Sequence, residues 1–147
     1  DVASMCKLGF DIGLKDMTAD ELAYCQDAVA NWKRLQPAIM DGDQYRLVSP
    51  YETNHMAVNY VSKDQKKAVL FAYDVYPRFQ EKLINVKLQG LDPNKTYKVE
   101  EINLMPGVDS ALKSNGQTYT GDYLMKVGIE VFGFAATQSH VLELTAM

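Results

Sequence analysis

The feature that most restricts the fold of this chain is a change of hydrophobic period at Asp41-Gly42-Asp43. Before it, Leu22, Cys25, Val29 and Trp32 recur three and four residues apart, the spacing of one helical stripe. Thr18-Ala19-Asp20-Glu21 is a capping box for that helix, Thr18 covering the third amide while Glu21 reaches back to the Thr18 N–H. Pro37 is expected to end it, with Lys33-Arg34 in the last turn opposing the helix dipole. Ahead of the helix, Leu8-Gly9-Phe10-Asp11-Ile12 reads as a short strand, followed by the turn-prone Gly13-Leu14-Lys15-Asp16.

After the break the period is two. Ile84, Val86 and Leu88 alternate with Asn85, Lys87 and Gln89, and five further runs read as strands: Tyr45–Val48, Met56–Val61, Ala68–Val75, Thr96–Leu104 and Val141–Thr145. Tyr123–Val131 is predicted as a strand on the same grounds. The links carry turn chemistry: Lys63-Asp64-Gln65-Lys66, Leu91-Asp92-Pro93-Asn94-Lys95 and Ser114-Asn115-Gly116. Short strands in series without intervening helices predict an antiparallel β-sandwich or barrel. The chain is therefore read as mainly β, with a strand-helix unit over 1–40 and an antiparallel β-sandwich over 41–147. One strand and one helix cannot bury their own apolar surface. That unit either docks on the sandwich or is the last piece of something larger.

Composition narrows function more than it assigns it. The 147 residues carry 15 Lys+Arg against 19 Asp+Glu, a net charge of -4, and no basic run, so no phosphate backbone is an expected partner. The apolar stretch Ala68–Tyr73 is far short of the roughly 20 residues that span a bilayer. The opening Asp1-Val2-Ala3-Ser4-Met5-Cys6 lacks the layout of a signal peptide, and the chain reads as cut from a longer one. Cys6 and Cys25 are expected as free thiols, and His55 and His140 as core or surface residues without a motif around them. No metal or cofactor spacing occurs.

Paired carboxylates would be the mark of acid/base chemistry. Glu100 and Glu101 are strand neighbours whose side chains leave on opposite faces, and Asp41 and Asp43 flank a glycine in a solvated turn. Asp11, near the end of the first strand, is the one rim candidate. Tyr60, Tyr73 and Tyr97 fall in β-periodic runs and are expected in the core rather than as a sugar platform, and Trp32 is expected to pack. No residue is assigned as catalytic, substrate-binding or metal-ligating.

Five stretches in order resemble the C-terminal end of glycoside hydrolase family 36: Lys7-Leu8-Gly9-Phe10-Asp11-Ile12; Leu22 to Pro37 with Asn31-Trp32-Lys33; Gly42-Asp43-Gln44-Tyr45-Arg46-Leu47-Val48-Ser49-Pro50; Gly90-Leu91-Asp92-Pro93-Asn94-Lys95-Thr96-Tyr97; and Thr120-Gly121-Asp122-Tyr123-Leu124-Met125-Lys126-Val127-Gly128-Ile129. The resemblance implies that residues 1–40 are the last β/α unit of a (β/α)8 barrel, followed by the C-terminal sandwich of a retaining α-galactosidase. It implies a missing catalytic barrel as partner and a galactoside as substrate of the intact protein. The family's nucleophile follows a Lys-Trp pair on an earlier strand; this chain has only Trp32-Lys33, and Met5-Cys6-Lys7 stands where a small residue and glycine are common. The resemblance thus implies no activity in this piece, and self-association through the bare helix stripe. The alternatives from the residues alone are a free-standing carbohydrate-binding module and a structural or interaction domain.

Overall fold

The turn Lys63-Asp64-Gln65-Lys66 folds the chain back on itself, the Ser62 N–H donating to the Lys67 carbonyl at 2.9 Å and Gln65 taking a left-handed φ of 55°. It joins β2 (His55–Val61) to β3 (Lys67–Asp74), paired antiparallel from Val61 opposite Ala68 to His55 opposite Asp74. β1 (Asp43–Val48) adds to the outer edge of β2 with a register shift between Arg46 and Val48. β6 (Gln138–Ala146) pairs with β3 on one side and β4 (Thr96–Ile102) on the other, and β5 (Thr118–Thr120) closes the far edge. The order is β1-β2-β3-β6-β4-β5, antiparallel at every junction. The structure is a computed structural model and describes residues 1–11, 13–76, 78, 84–133 and 138–147.

Strand alternation gives this sheet two apolar faces, and different parts of the chain cover each. On one lies α1 (Ala19–Asp41), whose Leu35, Ala38 and Ile39 pack with Val58, Tyr60, Val69, Phe71, Tyr73 and Val141. The other face carries Ala57, Leu70, Tyr97, Leu142 and Leu144 under a layer that includes Val86, Leu88, Leu124, Ile129 and Val131. Val86 and Ile129 exchange two backbone hydrogen bonds, at 2.9 and 3.1 Å, a single antiparallel bridge holding that layer together. Leu70, Leu142 and Leu144 are fully buried, and each contributes about 1.5–3 kcal/mol by leaving water. The mainly antiparallel β architecture expected from the alternation is the one observed.

Four local expectations are corrected. Residues 8–11 form no strand, and Ile12 lies outside the described residues; a strand exists only through a neighbour's ladder, and the described sheet, β1-β2-β3-β6-β4-β5, does not include this segment. Pro37 lies inside α1 rather than after it, leaving Lys33 and Arg34 about two turns from its end. The interior proline costs about 3 kcal/mol, offset because the turn beyond it buries Ala38 and Ile39. Ile84–Leu88 is extended chain bridged only at Val86; Val86 and Leu88 point inward, but Ile84 is exposed. Tyr123–Val131 is not a strand: Thr120 caps a short helix, α2 (Gly121–Lys126), by accepting from the Tyr123 amide at 3.2 Å.

Two glycines mark where elements cross too closely for a side chain. A Cβ at Gly42 would sit 2.2 Å from the Ala38 carbonyl oxygen and 2.4 Å from that of Val61, so the passage from α1 into β1 admits no larger residue. Gly128, with φ of +79°, would place its Cβ 2.4 Å from the Val86 carbonyl oxygen at the bridge.

Candidate functional site

The helix α1 presents two apolar faces, and only one is covered by the sheet. Thr18 and Glu21 start it as the sequence requires, the Thr18 N–H donating to Glu21 Oε2 at 2.8 Å and the Glu21 N–H to Thr18 Oγ1 at 3.3 Å. From there Ala28, Leu35, Ala38 and Ile39 turn toward the sheet and are buried. The predicted stripe of Leu22, Cys25 and Val29 lies roughly a third of the way round the helix from them. Leu22 remains 39% exposed. With Phe10, 45% exposed, these residues line an open groove of about 430 Å³. Trp32 stands between the faces, packed against the sheet-side cluster, its Nε1 donating to the Cys6 carbonyl at 3.0 Å.

Polar contacts fix the helix to the sheet. Glu143, central in β6 and 7% exposed, receives Arg34 of α1 on one carboxylate oxygen and Lys67 of β3 on the other, the latter at 3.1 Å. Asn31 donates to Asn103 at 3.0 Å, and Asn103 to Asp1 at 2.9 Å. Glu143 was invisible as a partner in the sequence; the signal is a lone acid in the apolar run Val141-Leu142-Glu143-Leu144.

None of the sequence candidates converges with another on a cleft among the described residues. Asp11 and Asp41 are exposed, and Asp43 is exposed and paired with Lys63. Glu100 pairs with Lys98 at 2.6 Å, while Glu101 leaves the opposite face of β4 and meets His140 Nδ1 at 2.6 Å and the Ser110 hydroxyl. Burial pushes the Glu101 carboxyl up, but the bonds from His140 and Ser110, with the charge of His140, outweigh it and hold it below the ordinary glutamate value. His55 Nδ1 lies 2.7 Å from Asp74 Oδ1, both buried, with the His55 ring stacked 4.4 Å from Phe132. This dyad was missed, although folding the hairpin about Asp64-Gln65 sets His55 opposite Asp74. Phe132 covers the ring, and the Asp74 second oxygen accepts from the Gly133 amide at 2.9 Å, which makes the pair a strut between layers.

The tyrosines expected in the core are there: Tyr60, Tyr73 and Tyr97 are buried. Burial pushes the Tyr73 hydroxyl well above its ordinary value. Tyr97 donates to the Gln65 carbonyl at 2.7 Å and accepts from the Asp92 amide at 3.0 Å, pinning two turns. Cys6 is exposed and Cys25 half-buried, both as thiols. Among the described residues no group of three His, Cys, Asp or Glu side chains is placed to hold a metal, and no helix is long and apolar enough to cross a membrane.

The sequence model of the glycosyl hydrolase family 36 C-terminal domain matches residues 55–144, which takes in β2 to β5, α2 and most of β6. The chain belongs to glycosyl hydrolase family 36. Among curated relatives it is 29% identical over 122 residues to a probable α-galactosidase G of Aspergillus terreus, covering 83% of this chain and 15% of that protein. It is 33% identical over 121 residues to α-galactosidase C of Emericella nidulans, covering 82% and 14%. The crystal structure of the family 36 α-galactosidase AgaB from Geobacillus stearothermophilus superposes with a TM-score of 0.82 at 27% identity, over 99% of this chain and 18% of that one. The chain thus spans less than a fifth of the length of these relatives, and it corresponds to their C-terminal domain.

Proposed function

We propose that this chain is the C-terminal portion of a retaining α-galactosidase, in which residues 1–40 complete a (β/α)8 barrel and the sandwich of residues 41–147 packs on and stabilises it. The observation that carries this reading is the two-faced helix. One side of α1 is committed to the sheet through Leu35, Ala38 and Ile39, and the other carries exposed Leu22 with half-buried Cys25 and Val29 along a groove that exposed Phe10 also lines. An apolar strip left open beside a covered one marks an interface. A catalytic barrel of the same polypeptide is its natural occupant, given that the chain covers only 18% of AgaB. The galactoside belongs to that longer protein: related AgaA structures hold stachyose and raffinose.

The chain alone is inactive on this reading. Retaining hydrolysis needs a carboxylate nucleophile and an acid/base carboxyl about 5–5.5 Å apart across one pocket, assembled in a barrel from the ends of several strands. Asp11, Asp41 and Asp43 are exposed and scattered, and Glu101 is tied to His140 and Ser110. Without its barrel the open strip drives self-association of the chain. The test is turnover of p-nitrophenyl α-galactoside by the purified chain beside the longer polypeptide. Turnover by the longer protein alone is expected; turnover by the chain that disappears on replacing one of its own carboxylates would overturn the reading.

A further inference from the structure

The sheet face on which α1 lies is wider than the helix, and the first residues of the chain cover part of the remainder. The single helical turn Val2–Met5 sets Met5 against the sheet-side cluster with Met56, and the Tyr60 hydroxyl donates to the Met5 carbonyl at 3.0 Å. Met5 and Met56 line two grooves, of about 410 and about 370 Å³. The first has exposed Val2 and Val75 on its walls. Its carboxylates are already engaged: Asp1 accepts from Asn103 at 2.9 Å and Ser139 at 2.6 Å, and Asp74 meets His55 and the Gly133 amide. The second reaches Tyr51, 98% exposed in the turn after β1. There Gln44 donates to the Tyr60 hydroxyl, and Arg46 is the one charged residue of the lining, without an ion pair or hydrogen bond among the described residues.

Each observation restricts the occupant. A small polar ligand needs several donors and acceptors converging on it, and apolar walls whose polar groups already have partners suit protein side chains instead. Asp1 stands at the rim of the first groove, half-buried. On the proposed function, from which this inference takes only the longer polypeptide, the rest of that polypeptide joins the chain at Asp1, this chain being 18% of AgaB. Whatever covers the second groove also takes Arg46 out of water, which is costly unless an acid comes with it. We propose that the segment of the longer polypeptide joining at Asp1 folds back over both grooves, placing apolar side chains against Val2, Met5, Met56 and Val75 and a carboxylate on Arg46. This contact is a second seam, on the sheet side of α1, separate from the open face that carries Leu22.

The test is hydroxyl-radical footprinting of the longer polypeptide and of the 147-residue chain, read residue by residue by mass spectrometry against the exposed Tyr123 and Met147. In the chain alone Val2, Tyr51 and Val75 should label freely. In the longer polypeptide their labelling, with that of Met5 and Met56, should fall toward that of Val69 in the core and stay there on dilution. Arg46→Glu in the longer polypeptide should restore labelling at Tyr51 and Met56, and Arg46→Lys should not. Three results would each overturn the proposal: labelling of Tyr51, Met5 and Val75 as strong as in the chain; protection lost on dilution, which assigns the grooves to a second copy; or an Arg46→Glu footprint equal to the unaltered one. Phe10 and Leu22 report the open face of α1 in the same experiment. Their protection with both grooves still labelled refutes this inference and leaves the proposed docking of α1 standing; protected grooves with Phe10 and Leu22 still labelled do the reverse.

Discussion

Leu35 and Leu22 occupy the same helix, and replacing each with alanine separates the covered face from the open one. The helix-propensity change is the same at both positions, so the difference reports packing alone. Leu35 is 2% exposed among Ala38, Ile39, Val69, Phe71 and Val141, where truncation loses the buried methyl groups and leaves a cavity that a β-sheet floor fills poorly. The cost is about 3 kcal/mol. For a domain of this size each kcal/mol moves Tm by about 2–4 °C, so Leu35→Ala should melt about 6–12 °C lower. Leu22 is 39% exposed with no sheet beneath it, and Leu22→Ala in the chain should cost about 1 kcal/mol or less. Thermal unfolding followed by far-ultraviolet circular dichroism, repeated at several protein concentrations, measures both. Equal losses, or a larger loss at Leu22, would refute the assignment of the two faces. On the proposed docking of a barrel against this face, the loss at Leu22 in the longer polypeptide should rise toward that at Leu35.

The second layer of the sandwich gives a paired test: Val86→Asp buries an unpaired charge at a position 1% exposed and should cost more than about 3 kcal/mol, whereas Lys87→Asp, exposed beside it, should stay within about 0.5. Similar midpoints for the two in urea would place the inward face of this segment wrongly. Glu101 sets an acid dependence. Its folded carboxyl lies below the ordinary 4.5, so the unfolded state binds the proton first and stability falls as pH drops below that value. Glu101→Gln should flatten this decline between the ordinary value and the lowered one, and an unchanged slope of stability against pH would remove Glu101 from the account.

Local chemistry carried much of this fold in the sequence, and long-range packing decided the rest. The Thr18 capping box, the turn at Asp64-Gln65 and the apolar strand run Ala68 to Tyr73 are each settled by neighbours within a few residues, and each is as expected. Pro37 failed as a stop because the fate of Ala38 and Ile39 depends on Val58 and Phe71. Tyr123 to Val131 mimicked a strand because Val127, Ile129 and Val131 alternate; the Thr120 cap and the burial of Leu124 against the sheet turned its first half into helix. Glu143 stood out in its strand, but its partner Arg34 lies 109 residues away. The stripe Leu22-Cys25-Val29 was legible as apolar, and the sheet-facing Ala38 and Ile39 were not, since Pro37 reads as the end of the helix before them.

Reconstitution in two pieces tests the central claim, that the open face of α1 seats the catalytic barrel. The longer polypeptide is expressed without these 147 residues and mixed with this chain, and p-nitrophenyl α-galactoside turnover is followed alongside sedimentation. The truncated piece alone should be inactive or unstable, and the chain should restore turnover and co-sediment with it. A chain carrying Val29→Asp, which puts a charge on the open face without touching the sheet-side cluster, should stay folded yet fail to restore either. Full activity in the truncated piece, or rescue by Val29→Asp equal to that by the unaltered chain, would contradict the account.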